Sequence, residues 1–365
     1  MARARSALPD FPWDSLTPYG AKARSHAGGI VDLSVGTPVD PVAPGIQRAL
    51  ASVAEVSGYP ATHGTPELRA AVLDALARRH GAAGIEPDAV LPTIGSKELV
   101  ALLPQLLGLG AGDVVVIPEL AYPTYEVGAL FAGAEVRRAD GLTQLGPQRP
   151  ALLWLNSPSN PTGRVLGVDH LRKVVDWARD RGTIVASDEC YLALGWDSEP
   201  VSVLHPDVNG GSLDGLLAVH SLSKSANLAG YRAGFVTGDP ALVADLLAVR
   251  KHAGLIVPRP VQAAMTAALA SDDALAAQRD AYAGRRDALR KVLQTAGFRI
   301  DHSEAGLYLW VTRDEDAWQT VDWFAERGIL VAPGTFYGPS GGKHVRVGLT
   351  ATDERVRAAV ERLEG

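Results

Sequence analysis

Residues 220–235 read HSLSKSANLAGYRAGF and place Lys224 among small and hydroxyl side chains, with Arg232 eight positions later. A lysine amine that loses its proton can form a Schiff base, and a guanidinium nearby can bind a phosphate. Taken alone, the stretch is far more typical of a solvated lysine in a loop rich in serine and glycine. The motifs upstream decide between the two interpretations.

Upstream of this stretch, from about residue 90, short apolar segments alternate with helical ones. The predicted strands are LPTIG, DVVVIPE, EVRRA, ALLWLNS, TIVASDE and GLLAVHS, and the predicted helices are SKELVALLPQLLG, YPTYEVGALFAGA and DHLRKVVDWARDRG. Continuous apolar strands separated by helices of about 10–15 residues indicate a mostly parallel sheet covered on both faces. The sequence therefore predicts an α/β fold.

Downstream, the alternation stops and a smaller α+β unit follows. ALVADLLAVRKHAG, RPVQAAMTAALAS and residues 273–295 are predicted helices, the last broken only at Gly284. FRIDHS, LYLWVTR, ILVAP and HVRVGLT are predicted strands, with helices at DAWQTVDWFAERG and TDERVRAAVERLE. Residues 1–45 are rich in Pro and Gly and show little helical periodicity. We predict a large domain over 46–269 and a small domain formed by 1–45 with 270–365.

Composition limits the classes of function. The formal charge is 35 − 41 = −6, so no overall positive field attracts nucleic acid or an anionic membrane. Cys190 is the single cysteine, which excludes an internal disulfide and fits a reducing cytoplasm. No Cys/His cluster has metal-ligand spacing. The N-terminus MARARSALPDFPWD lacks the apolar core of a signal peptide. Leu99 to Pro118 is apolar but interrupted by Pro104 and Asp113, so we expect no membrane span.

Four short motifs follow predicted strands, where open α/β sheets bind ligands. They are GSKE at 95–98, YPTY at 122–125, NSPSNPTG at 156–163 and DECY at 188–191. The first can place an anion at a helix N-terminus, and the acids of the last must be paired or shifted in pKa if they are buried. Each motif also has a purely structural interpretation. GSKE can be an ordinary helix cap, YPTY can be core packing, NSPSNPTG can be a plain turn, and the acids of DECY can lie at the surface.

The order and spacing of five residue types resemble the cofactor site of class I/II aminotransferases, which bind pyridoxal phosphate and have fold type I. Asn160 precedes Asp188 by 28 positions, Tyr191 follows after three, Lys224 lies 36 beyond Asp188, and Arg232 comes eight later. The similarity spans nearly the whole chain. It implies a large domain with a mostly parallel seven-stranded sheet flanked by helices, and a smaller α+β domain.

The resemblance also implies a role for each residue. Lys224 would bind the cofactor covalently and act as the base, and Asp188 would pair with the ring nitrogen. Asn160 and Tyr191 would donate to the ring O3′, and Tyr122 would lie over the ring face. The phosphate would be surrounded by Ser96, the Lys97 amide, Ser221, Ser223 and Arg232.

Substrate and subunit contacts follow from the same resemblance. Arg346 would bind the substrate α-carboxylate as a bidentate pair, and Gly36 would allow close backbone approach beside Asn160. Tyr59 would reach the phosphate of a neighbouring subunit in a homodimer. The segments FPWD, YPATHGTPELR, PTIGSKELV and PELAYPTYEVG resemble bacterial succinyldiaminopimelate aminotransferases of lysine biosynthesis. The implied substrates are N-succinyl-LL-2,6-diaminopimelate and 2-oxoglutarate.

The sequence departs from aspartate aminotransferases in two ways, which leave the substrate open. The ring-stacking position is tyrosine instead of tryptophan, and no second arginine is evident for a short dicarboxylate. The nearest basic cluster after the Lys224 motif consists of Arg250, Lys251 and Arg259. These residues either face the substrate cleft, where they could bind a distal carboxylate, or form a solvated helix end. Aspartate, acetylornithine and aromatic amino acids remain alternative substrates. A lyase or decarboxylase with the same cofactor, or the aminotransferase-like half of a transcription regulator, are alternative functions.

Overall fold

A computed structural model describes residues 8–365. Its strands are β1 Val31–Asp32, β2 Val90–Ile94, β3 Val114–Ile117, β4 Glu135–Arg138, β5 Leu152–Asn156, β6 Ile184–Asp188, β7 Leu216–Ser221, β8 Ala233–Gly238, β9 Arg299–Asp301, β10 Tyr308–Thr312, β11 Ile329–Leu330, β12 Ala332–Pro333 and β13 Val345–Gly348. Over this range, no helix is both long and apolar enough to cross a membrane.

The α-helices are α1 Thr17–Arg24, α2 Pro44–Ala51, α3 Pro66–His80, α4 Ser96–Leu106, α5 Thr124–Ala132, α6 Val168–Arg179, α7 Pro206–Asn209, α8 Leu222–Ser225, α9 Pro240–Ala253, α10 Arg259–Ala270, α11 Asp272–Thr295, α12 Ala317–Glu326 and α13 Asp353–Glu364. A 3₁₀ helix, Pro12–Leu16, precedes α1.

The large sheet has seven strands in the order β2-β8-β7-β6-β5-β3-β4. All neighbours are parallel except β8, which runs antiparallel to β7 and β2. Successive side chains point to opposite faces, so Leu153 and Leu155 join one apolar cluster while Leu152 and Trp154 join the other. The predicted α/β class and the mostly parallel seven-stranded sheet are confirmed.

The helices around this sheet follow local sequence rules. In α3, the Thr65 hydroxyl accepts from the Leu68 amide at 3.2 Å, Pro66 occupies the first position, and Gly81 ends the helix with a φ of 63°. In α6, the residues at helical spacing, Leu171, Val174, Val175 and Ala178, are buried. These caps and stripes hold the helices against the sheet whose strand ends form the site.

A second, antiparallel sheet has the order β12-β13-β10-β9. Its core includes Leu309 and Val347, together with Tyr282 from α11. The N-terminal segment adds β1, which pairs in parallel with β11, and α1, whose Lys22 Nζ lies 2.7 Å from Asp322 of α12. These contacts are consistent with the predicted small domain, whose exact division at residues 46 and 270 stays a prediction. Residues 1–7 lie outside the described residues, so this part of the predicted small domain and of the N-terminal sequence that lacks a signal peptide is not described.

Three local predictions are wrong. Residues 17–24 form a helix although their sequence shows little periodicity, because packing on α12 replaces an amphipathic stripe of their own. Gly284 does not break α11, since one glycine costs only about 1 kcal/mol in a long helix. ILVAP forms two strands, because Ile329–Leu330 pairs with β1 whereas Ala332–Pro333 pairs with β13.

Candidate active site

A cavity of about 430 Å³ opens where the strands of the large sheet end. Twelve of the residues predicted from the sequence line it: Gly36, Ser96, Lys97, Tyr122, Asn160, Asp188, Tyr191, Ser221, Ser223, Lys224, Arg232 and Arg346. Tyr59 does not; its side chain is 97% exposed on the outside of the chain. The carboxyl ends of parallel strands meet at one edge of a sheet, which is why motifs distant in sequence converge here.

Asn156 links two of these strand ends. It is the last residue of β5, and its Nδ2 donates to the Asp188 carbonyl of β6 at 3.0 Å. Its Oδ1 accepts from the Asn160 backbone N–H at 2.7 Å, and the bonds before Pro158 and Pro161 are cis. The two hydrogen bonds of Asn156 fix the NSPSNPTG loop, and the Asn160 side chain lines the cavity.

Asp188 lies at the bottom of the cavity and is 6% exposed. Its Oδ2 accepts from the Tyr125 hydroxyl at 2.7 Å, and its Oδ1 accepts from the Cys190 N–H at 3.2 Å. Burial raises the pKa of Asp188 because the charged form is desolvated. A cationic partner would stabilise the carboxylate, so this position suits a protonated ring nitrogen.

Lys224 belongs to the four-residue helix α8, which Ser221 begins by accepting from the Ser223 N–H at 3.2 Å. The Lys224 amine donates to the Gly36 carbonyl at 2.6 Å. Desolvation in the cavity lowers the pKa of Lys224 below its ordinary value. A lysine whose neutral form is favoured is suited to act as a nucleophile and a base.

An anion cradle lies beside Lys224, at the N-terminus of the eleven-residue helix α4. Gly95, directly before Ser96, has a φ of 72°, and a Cβ there would overlap the Arg232 guanidinium, with the Arg232 Cζ only 2.8 Å away. Glycine thus lets the guanidinium approach the helix N-terminus. Backbone amides, the serine hydroxyls and this guanidinium together match a phosphate.

Arg346 forms the opposite wall and is 2% exposed. It donates to the Asn160 Oδ1 at 2.9 Å and to the Ser34 carbonyl at 2.6 Å, and its guanidinium lies 3.8 Å from the centre of the Tyr308 ring. Its Nε has no hydrogen-bond partner, and no carboxylate among residues 8–365 pairs with it. A buried guanidinium without an anion is a site for a carboxylate ligand.

Tyrosine rings enclose the middle of the cavity. The Tyr191 and Tyr308 hydroxyls lie 3.2 Å apart, and the Tyr122 ring meets the Tyr125 ring edge-on at 5.8 Å. Burial raises the pKa of Tyr122 to about 12 and raises the pKa of Tyr191 well above its ordinary value, so both remain hydrogen-bond donors at neutral pH.

Several lining residues escaped prediction: Phe11, Trp13, Val35, Thr37, Tyr125, Cys190 and Tyr308. Tyr125 lies in the YPTY motif, and its position three residues after Tyr122, almost one helical turn, was the available signal. Tyr308 lies in a segment typical of a core strand, which gave no signal. Of the alternative basic cluster, Arg250 is fully buried and pairs with Glu98 at 2.8 Å. Neither Lys251 nor Arg259 lines the cavity, so the prediction that this cluster faces the cleft is wrong.

The comparison with known families agrees with this geometry. The model of the family described as aminotransferase class I and II matches residues 29–363. The chain belongs to this family. Its members depend on pyridoxal phosphate, and the cradle, the buried carboxyl and the lysine described above fit that cofactor.

The similarity to known proteins covers almost the whole of this chain. The probable aminotransferase Rv1178 of Mycobacterium tuberculosis is 68% identical over 98% of this chain and 86% of its own length. The 4-dedimethylamino-4-oxo-anhydrotetracycline transaminase OxyQ of Streptomyces rimosus is 56% identical over 98% and 99%. A crystal structure of an aminotransferase from Neisseria meningitidis is 30% identical, with a TM-score of 0.91 over 100% of this chain and 98% of that one.

Proposed function

We propose that this aminotransferase moves the amino group of N-succinyl-LL-2,6-diaminopimelate to 2-oxoglutarate. The observation that carries the proposal is the buried guanidinium of Arg346. Its Nε has no hydrogen-bond partner among residues 8–365, and it lines the same cavity as Lys224 and Asp188. Both substrates carry an α-carboxylate next to the carbon that exchanges its amino group, so one guanidinium can bind each in turn.

The residues of the chain divide the reaction between them. Pyridoxal phosphate, when bound, supplies an electron-withdrawing ring that stabilises negative charge on the substrate Cα. Asp188 would keep the cofactor ring nitrogen protonated, and Asn160 and Tyr191 would donate to the cofactor O3′. Arg346 would orient the substrate by its carboxylate, and the Lys224 amine would take the proton from the Cα. Ser96, the Lys97 amide, Ser221, Ser223 and Arg232 would hold the phosphate, and Tyr122 would cover the ring.

The charges that line the cavity favour a substrate with a second, distal anion. The cationic side chains are Lys97, Lys224, Arg232 and Arg346, and Asp188 is the acid. The cofactor phosphate and the α-carboxylate account for Arg232 and Arg346, and Lys224 reacts. The Lys97 side chain is then free to bind a carboxylate at the far end of a long substrate, as succinyldiaminopimelate has.

A bulky apolar substrate is the second candidate, because two aromatic rings form the outer wall. The Phe11 ring lies 5.8 Å from the Lys97 Nζ, and the Trp13 ring packs at 5.2 Å from that of Phe336. The 56% identical relative is named for a transamination of an anhydrotetracycline. Aromatic amino acids are the simplest probes of this alternative.

Comparison of kcat/KM tests the substrate. Succinyldiaminopimelate, acetylornithine, aspartate and aromatic amino acids are compared with 2-oxoglutarate as acceptor, with glutamate formation measured to distinguish transamination from a lyase. A tenfold preference for aspartate or an aromatic amino acid, about 1.4 kcal/mol in transition-state binding, would exclude the proposed substrate but leave the aminotransferase assignment intact.

A pair of lysine variants tests the distal site. Lys97→Met should raise KM for succinyldiaminopimelate and leave KM for substrates without a distal carboxylate almost unchanged. Lys251→Met removes the same charge from an exposed helix end away from the cavity and is the matched control. An equal loss for all substrates would assign Lys97 to cofactor binding alone.

Covalent labelling tests the cofactor residues separately. Borohydride reduction of the holoenzyme should fix the cofactor on Lys224, as peptide mass spectrometry would show. Label on another lysine would overturn the assignment whatever the substrate is.

We further propose a homodimer in which Tyr59 completes the neighbouring phosphate site, supported by its 97% exposure. Mixing Tyr59→Phe with Lys224→Ala subunits should restore activity, because one site of each heterodimer then has neither defect. No recovery after mixing would place Tyr59 in its own subunit. A cytoplasmic location also remains our proposal, based on the single cysteine.

A further inference from the structure

Tyr308 touches both halves of the candidate site. It is the first residue of β10 and is 4% exposed. Its hydroxyl lies 3.2 Å from that of Tyr191, and its ring centre lies 3.8 Å from the Arg346 guanidinium carbon. A Cβ on Gly36 would overlap the Tyr308 hydroxyl and lie 2.9 Å from its Cζ. The segment after β1 thus leaves room for the Tyr308 ring only because residue 36 has no side chain.

The two hydroxyls form a directional pair once Tyr191 acts on the cofactor. A phenol has one proton to donate and lone pairs to accept. When Tyr191 donates to the ring O3′, its oxygen can only accept from Tyr308, so Tyr308 becomes the donor. Accepting this bond makes Tyr191 a stronger donor, because hydrogen bonds in a chain polarise one another.

The ring of Tyr308 has a separate task. The face of an aromatic ring attracts a guanidinium, and the attraction is larger where both are desolvated, as here. The stacked ring therefore fixes the plane of Arg346 while leaving its Nε edge open to a carboxylate. Hydroxyl and ring act on different partners, so they can be separated by substitution.

We propose that Tyr308 is a positioning residue that tunes cofactor O3′ through Tyr191 and orients Arg346 for the substrate carboxylate. The inference rests on the proposed roles of Tyr191 and Arg346. Stronger donation to O3′ stabilises its anionic form, which lowers the pKa of the covalent lysine–cofactor linkage. Loss of the Tyr308 hydroxyl should therefore raise that pKa.

The experiment is a mutant cycle on purified holoenzyme, followed by the pH titration of the visible cofactor band. Tyr308→Phe should raise the pKa of the linkage by roughly 0.1 to 0.7, because the lost bond strengthens the Tyr191 donation to O3′ by only about 10–30%. Tyr191→Phe should raise it more. In the Tyr191→Phe background, Tyr308→Phe should add nothing, because the hydroxyl acts only through Tyr191.

Measurements of KM test the role of the Tyr308 ring in substrate binding. Tyr308→Phe keeps the stack and should leave KM for both the amino acid and 2-oxoglutarate nearly unchanged. Tyr308→Leu should raise both KM values by roughly 2- to 30-fold while the linkage pKa matches that of the Phe variant. Tyr308→Met replaces Leu if that variant does not fold.

Two kinds of result would overturn the inference, one on the Tyr308 hydroxyl and one on its ring. A wild-type linkage pKa in Tyr308→Phe, or additive shifts in the double variant, would reduce the hydroxyl to a packing role. Equal KM values for the Phe and Leu variants would remove the ring from substrate binding. Neither result would affect the proposed function, which instead fails if the wild-type enzyme shows no titrating band or carries its label away from Lys224.

Discussion

Tyr125→Phe removes one oxygen atom and should expose how Asp188 is kept ionised. The Tyr125 hydroxyl donates to Asp188 at 2.7 Å, and its ring stacks on Trp154 with centroids 4.8 Å apart. Phenylalanine keeps the stack and loses only the donor. Among residues 8–365, the carboxyl then keeps its bonds from Cys190, whose amide donates at 3.2 Å.

The expected loss of stability depends on pH. A hydrogen bond to a charged group contributes about 1.5–3 kcal/mol, and Asp188 is only 6% exposed to solvent that could replace it. Burial already raises the pKa of Asp188, and the variant raises it further. Between the unfolded and folded pKa values the folded chain binds more protons than the unfolded one, so stability falls as pH rises through this window. The variant should lose most near pH 8 and least at acid pH.

Denaturant unfolding of the apoenzyme at about pH 8 and about pH 5 measures this difference. Tyr337→Phe is the matched control, because Tyr337 is also fully buried but its hydroxyl has no hydrogen-bond partner among residues 8–365. That control should be as stable as the parent or slightly more stable at both pH values. A Tyr125→Phe loss that is the same at both pH values, or no larger than the control's, would refute the argument.

Three further substitutions test other contacts. Gly95→Ala should weaken cofactor binding at least tenfold in a fluorescence titration, because its Cβ overlaps the Arg232 guanidinium at a φ of 72°; unchanged affinity would show that Arg232 moves freely. Arg346→Lys should lower kcat/KM by roughly 10²-fold or more, about 2.7 kcal/mol, with the spectrum of bound cofactor unchanged; an altered spectrum would mean that Arg346 acts on the cofactor. Burial raises the pKa of Glu189 to about 7, so folded Glu189 costs stability as pH rises from 4.5 through 7. Glu189→Gln should therefore gain in melting temperature over the parent between about pH 5 and pH 8, and a constant difference would contradict this sign.

The parts of the site that the sequence predicts are those at strand ends. Asp188, Asn160 and Lys224 each follow an apolar strand, and the parallel arrangement brings such positions together by geometry alone. Their residue types are also informative, because a carboxyl or an amine at the end of a buried strand needs a partner. Arg346 was found only through the resemblance, since VRVGL by itself predicts no more than a strand.

The parts that the sequence misses depend on tertiary packing. Tyr308 lies in LYLWVTR, where a tyrosine is indistinguishable from a core residue until Gly36 and Arg346 are placed against it. Strand β8 contains Gly234 and Gly238 and runs antiparallel to both of its neighbours, so it follows no βαβ pattern. Helix α1 is stabilised by contacts with residues some 300 positions away, such as the bond between Lys22 and Asp322.

The residues that line the cavity come from two parts of the chain, the large sheet and the outer segments around it. Substrate specificity can change through the second group without altering the first. The large sheet supplies Asp188 as the last residue of β6, where a shift of one residue would turn the side chain to the other face, and it positions Lys224 in the short helix that directly follows β7. Phe11 and Trp13 instead belong to the N-terminal segment, and Lys97 is exposed on the first turn of α4. Their replacement need not disturb the sheet. We therefore expect substrate choice among relatives with the same cofactor residues to follow these outer positions, and we expect Arg346, oriented by Tyr308, to bind the carboxylate that all such substrates share.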